Sequence, residues 1–123
     1  MVQRFNNIVF GFEVRIVSKV EYNKLVRDYI PQIISDSGKK CDTAVLSEAD
    51  YQSALERKME EEIAEYRESH ELEELADLME VIIAAAEAQG YSLEELDAAR
   101  IKKKISRGGF SQRILLKSVS EDI

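Results

Sequence analysis

The sequence has one cysteine, one histidine, one proline, five glycines and no tryptophan. A single thiol, Cys41, permits no internal disulfide and fits a reducing cytoplasm. No His/Asn partner set accompanies it, so it reads as a plain thiol rather than a nucleophile. His70 alone can supply neither Cys/His zinc spacing nor a Ser/His/Asp triad. It reads as a polar residue at a turn. No glycine-rich phosphate loop of Walker type is present. Glu13 and Arg15 interrupt the apolar N-terminus, so neither a signal peptide nor a membrane span is expected, and the expected location is cytoplasmic. The chain also lacks a basic surplus. A net charge of −7 argues against binding a nucleic-acid polymer. There is no internal repeat and no low-complexity segment.

What is present bounds the answer to one soluble globular domain: 123 residues, 45% hydrophobic and 33% charged. Phe10, Phe12, Val14 and Ile16 alternate with polar residues or glycine, which predicts a short N-terminal strand or extended arm. From Tyr22 the pattern turns helical, with Pro31 in a first turn and a stop near Gly38. A long helix is expected from Ser47, with Asp50 in a capping-box-like position. Leu55, Met59 and Tyr66 form its apolar stripe, Ile63 lies beside it, and Glu62 falls inside it. The next helix is expected from Glu71 to Gln89, stopped by Gly90. Its solvent line is Glu73, Glu80 and Glu87, and it is apolar around most of the remaining circumference. Such a helix is buried on several sides, which in so short a chain suggests a partner subunit. Ser92 and Glu95 form a capping box for a last helix ending before Gly108-Gly109. The apolar patch Ile114–Leu116 is expected to pack on the bundle or on a neighbour.

The informative pattern is a mirror pair of acids. Glu62 and Glu65 are spaced i, i+3, and so are Glu74 and Asp77. Both the 65/74 and 62/77 pairs are centred between Ser69 and His70. A helical hairpin there sets Glu62 level with Asp77 and Glu65 level with Glu74, and residues three apart share a face. A lone i, i+3 acid pair ordinarily solvates a surface. Two symmetric pairs, three of their four acids off the solvent face, point instead to an all-oxygen site for Mg²⁺, with Mn²⁺ as the alternative. Glu61 adds a carboxylate that reads equally as a general base or as a solvated flank. Lys24, Arg27, Lys103 and Arg107 are candidate phosphate holders. Their plain alternatives are surface charge for the first two and helix-dipole complement for the last two.

The order Glu61-Glu62-x-x-Glu65, then Glu74-x-x-Asp77, resembles the EExxE…ExxD signature of the all-α nucleoside triphosphate pyrophosphohydrolases, the MazG-like superfamily. The segments Tyr22–Ile34 (YNKLVRDYIPQII), Glu73–Ile82 (EELADLMEVI) and Arg107–Phe110 (RGGF) are similar to its phosphoribosyl-ATP pyrophosphohydrolase-like branch. The resemblance covers roughly residues 21 to 119, leaving 1–20 as an N-terminal extension and 120–123 as a tail. It implies an all-α helical bundle assembled as a homodimer or higher homo-oligomer. Glu62, Glu65, Glu74 and Asp77 would bind Mg²⁺, and Glu61 or Glu65 would accept a proton. The implied reaction is Mg²⁺-dependent hydrolysis between the α and β phosphates of a nucleotide, in house-cleaning of nucleotide pools or on phosphoribosyl-ATP. The eight residues between Glu65 and Glu74 are fewer than in many members. The alternative reading is a non-catalytic helical oligomerisation or protein-binding module.

Overall fold

The computed structural model describes the backbone of residues 2–10 and 13–122, with side chains from Ser18 onward. Two antiparallel strands, β1 (Val2–Phe10) and β2 (Glu13–Glu21), pair from Val2↔Glu21 to Phe10↔Glu13. The single short strand expected around Phe10–Ile16 thus spans the end of one strand and the start of another. Gly11 and Phe12 lie outside the described residues. β1 escapes sequence reading because its apolar residues, Val2, Phe5, Ile8, Val9 and Phe10, do not keep a period of two.

Four helices follow among the described residues. α1 (Ile30–Asp36) starts at Pro31, whose missing N–H costs nothing in a first turn. It closes ahead of Gly38, whose φ of +86° suits glycine. The helical reading from Tyr22 is corrected: residues 22–27 run irregularly, and Asn23 sits at φ +46°. A left-handed residue there breaks any helical ladder, and asparagine tolerates it better than most.

α2 (Glu48–Ser69) is capped by Ser47, whose hydroxyl accepts the Asp50 N–H at 3.2 Å. Its far end is His70 at φ +55°, donating its N–H to the Tyr66 carbonyl. The His70 ring stands edge-on to Tyr66 with centroids 5.1 Å apart, bearing out its reading as a turn residue. One further residue, Glu71, opens α3 (Leu72–Ala88). So short a link forces α2 and α3 into an antiparallel hairpin, the main helix–helix packing of the chain. α4 (Leu93–Arg107) begins at the expected capping box. Ser92 Oγ accepts the Glu95 N–H, and Glu95 Oε1 accepts the Ser92 N–H. It ends at Gly108 and packs on α3.

The helical bundle is as expected, but it is thin. Only Ala54, Leu55 and Val81 form its buried apolar core among the described residues. Glu73, Glu80 and Glu87 face solvent as read. Leu75, Met79 and Ile82 also remain exposed, so the described residues do not cover the apolar circumference of α3. Ile114, Leu115 and Leu116 do not pack on the bundle either; each is at least 74% exposed. No helix among the described residues is long and apolar enough to cross a membrane.

Candidate metal centre

The α2–α3 hairpin brings the four mirror-related acids together. One carboxylate oxygen from each of Glu62, Glu65, Glu74 and Asp77 lies within 4.8 Å of all the others. Glu62 is the anchor. Only 5% exposed, it is the one buried charged residue among those described, and its Oε2 is buried with no hydrogen-bond partner. An orphaned carboxylate oxygen of this kind is costly, because its lost hydration is unreplaced. Glu65, Glu74 and Asp77 are half-buried around it. The group can hold a metal ion. Carboxylate oxygens alone favour a hard cation, and a cation would satisfy the atom the chain leaves unpaired.

Lysine and arginine stand around the acids. Lys24 Nζ donates to Glu61 Oε1 at 2.8 Å, and Arg27 Nη2 donates to Asp77 Oδ1 at 2.7 Å. The irregular segment before α1 is thereby tied to both arms of the hairpin. Lys58 is a site residue that motif reading missed. Its side chain, 15% exposed, lies 3.2 Å from Glu61 Oε1 and 3.4 Å from Glu62 Oε1. The signal was available, since Lys58 is i, i+4 from Glu62, a spacing that places two side chains together on a helix.

Glu61 lies beside the four-acid group rather than in it. Partial burial pushes its carboxyl up, but hydrogen bonds from Lys24 and then Lys58 outweigh that and hold it below the usual range. The same bond to Glu61 raises Lys24, against the opposing effect of desolvation. Glu62 is pushed up by burial, then by the close approach and charge of Glu65, and Lys58 offsets this only in part. Glu74 is raised by desolvation, then by Glu65, Asp77 and Glu71. Lys103 and Arg107 are exposed at the end of α4, and no hydrogen bond or ion pair joins them to the acids among the described residues. A depression of about 340 Å³ lies at the α3–α4 junction, lined by Ala86, Tyr91 and Leu96 among others. Ala86 is nine residues beyond Asp77, about 13 Å along the helix, so the acids and that hollow are separate features.

The shifts give a pH dependence with a definite sign. An acid whose folded pKa is raised contributes stability that is complete below its unfolded value, and loses it as pH rises through the folded value. Glu62 and Glu74 behave so, starting from the ordinary value of 4.5. Glu61 is opposite: its contribution is present above 4.5 and lost as pH falls through its depressed value. Cation binding needs the ionised cluster. Any rise in melting midpoint that a divalent cation gives at this cluster is therefore expected to shrink as pH falls from neutral toward 4.5. Calorimetric melts at matched ionic strength check this, and an unchanged shift down to that pH would count against proton competition.

No family model, curated protein or solved structure matches this chain.

Proposed function

We propose that the protein is a Mg²⁺-dependent nucleotide pyrophosphohydrolase that cleaves between the α and β phosphates to give a nucleoside monophosphate and pyrophosphate. The observation that carries the reading is the convergence of four carboxylates around the orphaned Glu62 Oε2. It is supported by the order of the acid motifs and by the resemblance they carry. A carboxylate quartet tied to cationic side chains suits a substrate that brings both metal and phosphates.

Glu62, Glu65, Glu74 and Asp77 would hold the cation, which when bound would neutralise phosphate charge and acidify an attacking water. The chain's own part is proton transfer and positioning. Glu65 or Glu61 takes the proton of that water. Glu61 is ionised at neutral pH, but Lys24 and Lys58 lower its basicity, so it serves better as the anchor of both lysines. Arg27 and a cation compete for Asp77. The Arg27–Asp77 pair is well exposed, and such pairs are worth only about 0–1 kcal/mol. Arg27 is therefore easily released to phosphate oxygens, where its charge stabilises the displacement. Lys24 does the same from the other arm.

Arg27→Ala is expected to separate the two roles: tighter binding of Mn²⁺ alone, and slower pyrophosphate release. Titration calorimetry and turnover on one preparation check this. Weaker Mn²⁺ binding would mean that Arg27 supports the site rather than competing for it.

The reading as a whole is tested by pyrophosphate release from dNTPs, NTPs and phosphoribosyl-ATP, with Mg²⁺ and with chelator. Chelator-sensitive release from any of them supports it. The second reading, a non-catalytic oligomerisation module, is favoured by the open apolar faces of α3 and the tail. It predicts no turnover and no Mg²⁺ effect on melting beyond screening.

A further inference from the structure

Lys58 is the cation that the fold holds hardest against the acids. On α2 it stands three residues before Glu61 and four before Glu62, so a single ammonium reaches both carboxylates. It lies 3.2 Å from Glu61 Oε1 and 3.4 Å from Glu62 Oε1. Its side chain is 15% exposed, against 39% for Lys24 and 56% for Arg27. Water competes little for an ammonium so placed, and pulling it away would leave a buried carboxylate uncompensated. Lys24 and Arg27 are open enough to leave; Lys58 is not.

The two oxygens of Glu62 therefore have different company. Oε1 faces Lys58, whereas Oε2 is buried and has no partner. Glu62 also converges with Glu65, Glu74 and Asp77. A cation held by the four acids would share the Glu62 carboxylate with the ammonium, one positive charge centre on each oxygen. In a two-metal centre, where the ions stand about 3.5–4 Å apart, a bridging carboxylate is shared in the same way between two metals.

The charge count agrees. Five carboxylates, Glu61, Glu62, Glu65, Glu74 and Asp77, meet three cationic side chains, Lys24, Arg27 and Lys58. The two negative charges left over are what one divalent ion neutralises. A second ion would leave the cluster net positive and would have to displace Lys58 from between Glu61 and Glu62.

We infer that the centre takes a single divalent cation and that Lys58 stands in the place of a second, joined to the first through the Glu62 carboxylate. The inference rests on the metal-binding part of the pyrophosphohydrolase reading and deepens it. Lys58 is a positioning residue: by holding Glu62 Oε1 it leaves Oε2 free for the ion.

The test titrates Mn²⁺ alone into the full-length chain at neutral pH, followed by calorimetry and electron paramagnetic resonance. The wild-type chain is expected to take one Mn²⁺ per chain, with the signal of an isolated ion. Lys58→Met keeps a side chain of similar length and removes the charge. It is expected to take two, their spin coupling broadening the signal. Lys24→Met, which changes the exposed partner of Glu61, is expected to stay at one. Circular dichroism checks each fold, and Lys58→Gln, which keeps a donor for Glu61, takes the place of Lys58→Met should that variant not fold. Two coupled ions in the wild type, or only one in the folded Lys58 variant, overturn the proposal and leave the metal centre standing. Two ions in both lysine variants would show charge alone at work and overturn the place given to Lys58. A wild-type chain that binds no Mn²⁺ removes the metal centre and the proposal together. The expected stoichiometries without pyrophosphate release from any nucleotide would uphold the role of Lys58 and sink the pyrophosphohydrolase reading.

Discussion

Glu62→Gln is expected to make the metal-free protein more stable and to abolish its response to Mg²⁺. Glu62 is buried, its Oε2 has no partner, and Glu65 faces it. Leaving a buried polar group unsatisfied costs about 1–3 kcal/mol. The amide removes the charge and gives a donor for Glu65, while Lys58 keeps its contact with Glu61. In a domain of this size the midpoint is expected to rise by roughly 5 °C. The wild-type protein at a Mg²⁺ concentration 100 times Kd gains about 2.7 kcal/mol, and the variant gains nothing. Melting both proteins with and without Mg²⁺ decides it. A variant that is less stable without metal would show that the Lys58–Glu62 contact outweighs the orphaned oxygen. A retained Mg²⁺ response would remove Glu62 from the ligand set. The opposed signs are the trade-off expected at a functional site, where a group is kept against its own folding cost.

The hairpin was legible in sequence because two independent patterns agree on it. The acids are symmetric about Ser69–His70, and the caps at Ser47 and Gly90 bound helices of the right length. An acid inside an apolar stripe also announced the burial of Glu62, since periodicity fixes which face a residue occupies. What sequence did not carry was tertiary. The segment around Asn23 has helix-compatible residues, but its path is set by Lys24 and Arg27 reaching acids 37 and 50 residues away. Lys58 was overlooked because attention to acids hides the base one turn back. Lys103 and Arg107 read in sequence as candidate phosphate holders, yet among the described residues no ion pair joins them to the acids. Apolar periodicity shows that a face of α3 must be covered, but not by what.

On the pyrophosphohydrolase reading, Asp77→Asn is expected to cut pyrophosphate release at least about 10²-fold, since a metal site supplies several kcal/mol of charge stabilisation and each decade of rate is 1.36 kcal/mol. Stability should barely move. Asp77 is half-exposed and its pair with Arg27 is open to solvent, so losing that pair costs under about 1 kcal/mol. The asparagine oxygen can still accept from Arg27, and the helical circular dichroism should be unchanged. Glu80→Gln is the control: an acid on the same helix, three residues on but on the solvent line, whose loss should leave turnover at wild-type level. Equal losses in both variants would mean that general acidity, not the converged site, drives the rate. Full activity in Asp77→Asn would refute the assignment of Asp77 outright. A large loss in Asp77→Asn alone, with folding intact, ties catalysis to the geometry that sets Asp77 across from Glu62.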